Sequence, residues 1–234
     1  LGGCPVTVQA RDTQLVAGEL LRDAARTFGS YADVLVLRTF AQQTVDEVAR
    51  HAGIPVINGL SDLDHPCQVL ADLFTVFERR PEPFQLRWAF VGDTPHMVNG
   101  YVAASALLGF ELRLGLPSGT DVEAATWARA ERLGARVQRF RSPLEAAEGA
   151  HVVSTGPWPA TFTTHPEASV FQVNATMLAG TAEAFVLHRL PAQRGVEITD
   201  DVLEGRHSLA FEAAANRLPV QQALLEWLLD VPVF

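Results

Sequence analysis

Leu86-Arg87-Trp88-Ala89-Phe90-Val91-Gly92-Asp93 decides the fold. A near-continuous apolar run of this length, ending in a Gly-Asp turn, predicts a strand buried on both faces. A helical apolar period over 97–108 follows it, and then a second apolar run over 110–116. Strand, helix and strand in that order form a parallel crossover unit. Working outward, further strands are predicted at 5–9, 33–37, 54–57, 151–154, 184–188 and 208–211. Helices are predicted at 18–28, 42–52, 64–79, 121–133, 143–148, 199–204 and 217–230. The class is therefore α/β, with two Rossmann-like lobes whose parallel sheets are covered by helices on both faces. Arg79-Arg80-Pro81-Glu82-Pro83 marks the internal boundary, because two prolines break the helical pattern before the strand. The expected domains are 1–79, 84–215 and a C-terminal helix, 216–234, returning to the first lobe.

The 234 residues are 48% hydrophobic and 19% charged, which supplies a full core and excludes disorder. A net charge of −9 argues against a nucleic-acid surface while permitting a local basic pocket. Cys4 and Cys67 stand far apart, which fits a reducing, cytoplasmic setting and excludes a cysteine-rich zinc site. The histidines show no metal-ligand spacing. No apolar run reaches the roughly 18 residues of a membrane span. No glycine-rich dinucleotide loop, P-loop or nucleophile elbow occurs. Leu1-Gly2-Gly3-Cys4 leads at once into an apolar run and reads like the middle of a domain, so an upstream segment is expected.

The stretch Asp64-His65-Pro66-Cys67-Gln68-Val69-Leu70-Ala71-Asp72-Leu73 carries the chemistry. Pro66 suits a first helical turn, and His65 and Gln68 fall one turn apart on one face. An imidazole N–H polarises a carbonyl oxygen, and a carboxamide oxygen accepts from an NH₂. Ligands of open α/β sheets bind beyond the carboxyl ends of the strands. There the sequence places Arg38-Thr39, Gly92-Asp93 and His188-Arg189. An Arg beside a Thr binds a phosphate or a carbonyl oxygen; capping of the following helix by Arg38, or its pairing with Asp46, is the alternative. Pro191 is expected to hold Leu190 extended, with its carbonyl free to point into a site. Arg217 is expected in the first turn of the last helix, where N–H groups and a guanidinium favour an anion, the alternative being an ion pair with Glu212.

Taken in order, these residues resemble the ornithine carbamoyltransferases within the aspartate/ornithine carbamoyltransferase family. The resemblance runs from Leu1-Gly2-Gly3 and Arg11-Asp12-Thr13-Gln14-Leu15 through Leu37-Arg38-Thr39-Phe40 and His65-Pro66-Cys67-Gln68. It ends in Leu190-Pro191-Ala192-Gln193-Arg194-Gly195 and Asn216-Arg217-Leu218. It implies attack of an amine or amino acid on carbamoyl phosphate in a homotrimer, with no cofactor or metal. A non-catalytic binding or assembly subunit is the alternative. The implied carbamoyl-phosphate set is Arg38, Thr39, His65, Gln68, Leu190 and Arg217, with Gln14 reaching a neighbouring subunit's site. Of these His65, Gln68, Arg38 and Arg217 are the catalytic residues.

The departures are as specific as the matches. The family's Ser-x-Arg-Thr-Arg phosphate cradle is not in the 234 residues, so the carbamoyl-phosphate lobe is expected to be N-terminally incomplete. The implied acceptor set is His96, Met97, Trp158, Arg189 and Leu190. Within it His96 stands at an Asn of the family, Gly156 falls near a family carboxylate, and Arg189 replaces a cysteine. Ornithine, a cation, is then expected to be a poor acceptor, unless Arg189 turns outward to Glu197 or Asp200.

Overall fold

A computed structural model describes residues 1–80, 82 and 85–229. Pro81, Pro83 and Phe84 of the expected boundary, and the chain from Asp230 on, lie outside the described residues. The chain divides into two compact units, Leu1–Cys67 with the chain from Leu218 onward, and Gln68–Arg217.

In the first unit, β1 (Leu35–Arg38) and β2 (Val56–Leu60) form a parallel pair, Leu35 opposite Val56. Helices α1 (Leu21–Gly29) and α2 (Gln42–His51) pack through a small core of Ala25, Val48 and Ala52. The strand expected at 5–9 does not form. Val6 and Val8 are exposed, and a strand exists only through its ladder, for which the described residues supply no neighbour there.

The second unit holds five parallel strands in the order β5-β4-β3-β6-β7. They are β3 (Arg87–Val91), β4 (Glu111–Gly115), β5 (Val137–Phe140), β6 (Val152–Thr155) and β7 (Phe185–His188). Alternation along β3 divides the core, with Trp88 and Phe90 on one face and Ala89 and Val91 on the other. The first face receives α3 (Pro66–Arg79) and α4 (Pro95–Leu108), through Val69, Leu73, Met97 and Tyr101. The second receives α7 (Ala160–Thr163), α8 (Ala175–Leu178) and α9 (Asp200–Leu203), through Phe162, Met177 and Val202. Between β4 and β5 runs α5 (Ala124–Arg132), and α6 (Pro143–Ala147) precedes β6. The strand order reverses between β3 and β6, the kind of place where open α/β sheets bind ligands.

Three readings of the sequence are corrected. Val137–Phe140 is a strand that apolar patterning misses, because this edge strand exposes Gln138 and Arg139 to solvent. The run 208–211 is no strand: Ser208 makes one bridge to Val186, and α10 (Ala210–Leu228) begins at once. Short apolar runs do not distinguish a strand from a helix start. Helix α10 therefore starts seven residues ahead of Arg217, favoured by Ala213-Ala214-Ala215 and with Pro219 inside it. Arg217 is not at a helix N-terminus, and first-turn N–H groups do not assist it.

Candidate functional site

At the start of α3, His65 is only 4% exposed and its backbone N–H donates to the Asp64 carboxylate at 2.6 Å. Burial holds the Asp64 carboxyl up at about 6, against the backbone hydrogen bond that lowers it. Pro66 opens the helix as its sequence predicts, and the Cys67 thiol faces the Asn58 carbonyl at 3.5 Å. In the same unit Arg38 ends β1 exposed to solvent. Thr39 donates its backbone N–H to Leu60 at 3.1 Å, and Gln14 is exposed at the start of a 3₁₀ turn. Asp46 accepts from Gln42 Nε2 at 2.9 Å, and no ion pair joins it to Arg38 among the described residues.

In the second unit Gln68 is buried, and its Nε2 donates to Asp72 Oδ1 at 2.9 Å. The other oxygen of Asp72 accepts from the Tyr101 hydroxyl at 2.5 Å. Asp72 is 1% exposed, and burial pushes its carboxyl up to about 6, opposed by Tyr101, Gln68 and the Arg217 guanidinium. Burial and the Asp72 charge together push the Tyr101 hydroxyl upward. Sequence reasoning gave neither residue a role. Asp72 carries a signal, one turn beyond Gln68 on the same face; Tyr101 carries none, because it arrives from another helix.

Beyond β7 the backbone is hooked back on itself. The Leu190 N–H donates to His188 Nδ1 at 2.9 Å, so that nitrogen carries no proton and Nε2–H donates to Glu197 at 3.0 Å. Leu190 has φ +46° and its bond to Pro191 is cis. The expectation of an extended Leu190 is thereby corrected: the His188 acceptor captures its N–H and turns the chain.

A cleft of about 490 Å³ opens here, lined by Arg189, Leu190, Pro191, Arg194, Phe211 and Arg217 among others. It brings together three of the sequence-predicted residues, Arg189, Leu190 and Arg217. Arg194 is paired with Asp200 and Glu204, and Glu212 with Arg79, so the expected alternative partner of Arg217 is taken. The Nε of Arg217 has no hydrogen-bond partner among the described residues.

The stem of Arg189 lies beside Gly156, at the end of β6. A Cβ at position 156 would lie 3.2 Å from its Cγ and 3.3 Å from Thr94 Oγ1. A side chain at 156 and the Arg189 stem thus compete for one volume. Of the two expected outward partners, Glu197 Oε1 is hydrogen-bonded to His188 and Asp200 Oδ1 to Arg194. His96, at the start of α4, is held down at about 4 by burial and by the Arg189 charge, so it is neutral near pH 7. Met97 and Trp158 are both core residues, 1% and 3% exposed, and Trp158 meets Phe162 edge-on. Gly92 has φ +108°, and any Cβ there would strike the Trp158 indole nitrogen at 2.3 Å, so only glycine closes this turn.

With this geometry in place, comparison with known proteins gives a consistent picture. Residues 1–78 match the family model for the carbamoyl-P binding domain of aspartate/ornithine carbamoyltransferase, and 85–228 the Asp/Orn binding domain. The match over 1–78 gives no support to the expectation of an N-terminally incomplete carbamoyl-phosphate lobe. An ornithine carbamoyltransferase of Syntrophotalea carbinolica is 41% identical across 98% of this chain and 78% of the relative. The anabolic ornithine carbamoyltransferase of Pseudomonas aeruginosa is 42% identical across 98% of this chain and 77% of its own. Among solved structures, ornithine carbamoyltransferase from Gloeobacter violaceus is similar with a TM-score of 0.84 and 44% identity, covering 90% of this chain and 75% of that one. The Pyrococcus furiosus enzyme gives 0.88 at 30% identity, covering 96% and 75%. The chain belongs to the aspartate/ornithine carbamoyltransferase family.

Proposed function

We propose that this protein transfers the carbamoyl group of carbamoyl phosphate to an amine, through a pocket whose acceptor side is altered. The observation that carries the reading is a family match over both halves of the chain, and the presence of His65, Gln68, Arg38 and Arg217 in the sequence supports it. Nothing favours the non-catalytic alternative. In the reaction a neutral amine attacks the carbamoyl carbon, a C–N bond forms, the C–O bond to phosphate breaks, and one amine proton leaves with the phosphate. Arg38 and Thr39 are assigned to the phosphate. His65, Thr39 and Arg217 stabilise the carbonyl oxygen as it gains charge, and Gln68 and the Leu190 carbonyl accept from the carbamoyl NH₂. The hook at His188 supports the last role, because it takes Leu190 out of the ladder.

The acceptor assignment rests on His96, Trp158, Arg189 and Leu190. Met97 and Trp158 enter it through packing, since both are core residues. Arg189 in place of a small thiol, with Gly156 beneath it, disfavours a cationic acceptor. Two like charges at about 4 Å repel by roughly 4 kcal/mol at an effective dielectric of 20. The amine is therefore one with a neutral or anionic side chain, and ornithine is a poor substrate. Gln14 is assigned to a neighbouring subunit's site in a homotrimer, which light scattering tests; a monomer at micromolar concentration contradicts it. The domain division at 79–84, with the last helix returning to the first lobe, belongs to the same reading. A cytoplasmic setting is supported by two free cysteines, Cys4 and Cys67. Among the described residues no helix is long and apolar enough to cross a membrane.

The deciding experiment is carbamoyl transfer from carbamoyl phosphate to a panel of amines, ornithine included, by the natural chain and Arg189→Cys. Transfer to neutral or acidic amines, and a gain for ornithine in the variant, are expected. No transfer to any amine overturns the activity. Unchanged ornithine kinetics in the variant overturns the charge argument and leaves the 154–160 loop to carry specificity.

A further inference from the structure

A directed chain of hydrogen bonds runs through the second unit and ends on Gln68. Its origin is the Trp88 indole, which can only donate, and which gives its N–H to Ser154 Oγ at 2.7 Å. The Ser154 hydroxyl is hydrogen-bonded to Tyr101, and it is the donor in that bond, because the phenol has a single proton and the Asp72 carboxylate, which only accepts, takes it. The Tyr101 proton thus points at Asp72 Oδ2, 2.5 Å away. Asp72 receives from both sides, from Tyr101 on one oxygen and from the Gln68 NH₂ on the other. Which way a glutamine amide faces is set by its hydrogen-bond network. Here the carboxylate admits one orientation, since a flipped amide would place its oxygen against Asp72. Every group in this chain is buried: Trp88, Tyr101, Ser154, Asp72 and Gln68 are each 2% exposed or less.

We propose that Asp72 is a positioning residue which, locked by Tyr101, fixes the Gln68 amide so that its oxygen, and not its NH₂, is offered to the carbamoyl NH₂. This rests on the role of Gln68 proposed above and explains why a glutamine serves there. Loss of the Asp72 charge would let a proton or an NH₂ at that place attract the Gln68 oxygen instead, turning an acceptor into a donor towards the ligand. The charged and titratable groups known to face Asp72 are Tyr101 from α4 and the Arg217 guanidinium from α10. The position of its carboxyl near 6 places this reversal within reach of mild acid.

Two measurements on the whole chain test it. The first is NMR of the ¹⁵N-labelled protein, with the Gln68 side-chain amide signal identified by its loss in Gln68→Ala. That signal is expected to move with a midpoint near pH 6, and to stay still over the same range in Asp72→Asn, whose near-identical shape preserves the fold. A Gln68 signal indifferent to pH, or one that titrates equally in Asp72→Asn, overturns the proposal whether or not carbamoyl transfer is observed. The second applies once the natural chain is seen to transfer. Asp72→Asn is then expected to lose at least tenfold in kcat at pH 8 and to lose the acidic limb of the pH profile, with the acceptor KM and the melting temperature little changed. An unchanged kcat with the limb retained overturns the positioning role. A natural chain without any transfer counts against the proposed function, and the amide signal still decides the orientation.

Discussion

The two units of this chain bury very different cores. In Gln68–Arg217 one strand, β3, sends Trp88 and Phe90 into a cluster with Tyr101 and Phe110, all four essentially inaccessible. Trp88 lies 5.1 Å from Tyr101 and 5.5 Å from Phe110, centroid to centroid. In the first unit two strands and two helices close over Ala25, Val48 and Ala52, while Tyr31, Val36 and Phe40 are 62% exposed or more. Large buried aromatic surface stabilises the former; small residues give the latter much less. The unit with the larger aromatic core also carries the residues proposed for the acceptor side, His96, Trp158, Arg189 and Leu190.

The largest effect should come from breaking that scaffold. Trp88→Ala is expected to cost about 3–5 kcal/mol, whereas Val48→Ala in the first unit costs about 1.6 kcal/mol, two methylene equivalents at about 0.8 each. Chemical denaturation of both variants measures this, and equal losses would erase the contrast.

Next in size are the two residues that stand on either side of the division. His65→Ala and Gln68→Ala are each expected to reduce kcat/KM for carbamoyl transfer by about 10²–10³, roughly 3 kcal/mol, with folding intact by circular dichroism. Near-normal rates in either variant would remove that unit from the chemistry.

The smallest effect sharpens the acceptor side. His96 is held near 4 by burial first and Arg189 second, so it stays neutral above about pH 5 and adds no pH dependence to acceptor binding between pH 5.5 and 8. Its folded value lies below the ordinary one, so folding loses stability from this group as pH falls from 6.5 towards 4. Proton NMR of the imidazole should show the low value, and a modest upward move in Arg189→Cys. A His96 that titrates near 6.5 would mean that burial does not hold it down, and a value unmoved in Arg189→Cys would mean that the Arg189 charge does not reach it.

Much of the fold was legible because its signals are local. Buried strands of a parallel sheet declare themselves as apolar runs, and Pro66 declares a helix start; β3, β4, β6, β7 and most helices follow from these. Where the signal depends on a neighbour, reading failed. Pro5–Gln9 looks like a strand but has no ladder among the described residues, and Val137–Phe140 is a strand that does not look like one, because its middle residues face water. Arg217 was assigned to a helix start that lies seven residues earlier, since an alanine run extends a helix without any periodicity to mark it.

The sequence by itself determined the family and the motifs from which the reacting groups are proposed. His65-Pro66-Cys67-Gln68 and Leu190-Pro191-Ala192 are contiguous, and their chemistry resides in residue types at short spacing. Only the tertiary structure decided how those groups are held. The bonds from Trp88 through Ser154 and Tyr101 to Asp72 join four separate elements, and the contact of Arg189 with Gly156 joins two strand ends. The Asp72 carboxyl that holds the Gln68 amide is itself held by Tyr101, a group distant in sequence and adjacent in space. Burial gives those groups their leverage, because without water each polar atom must answer to the neighbour that packing provides.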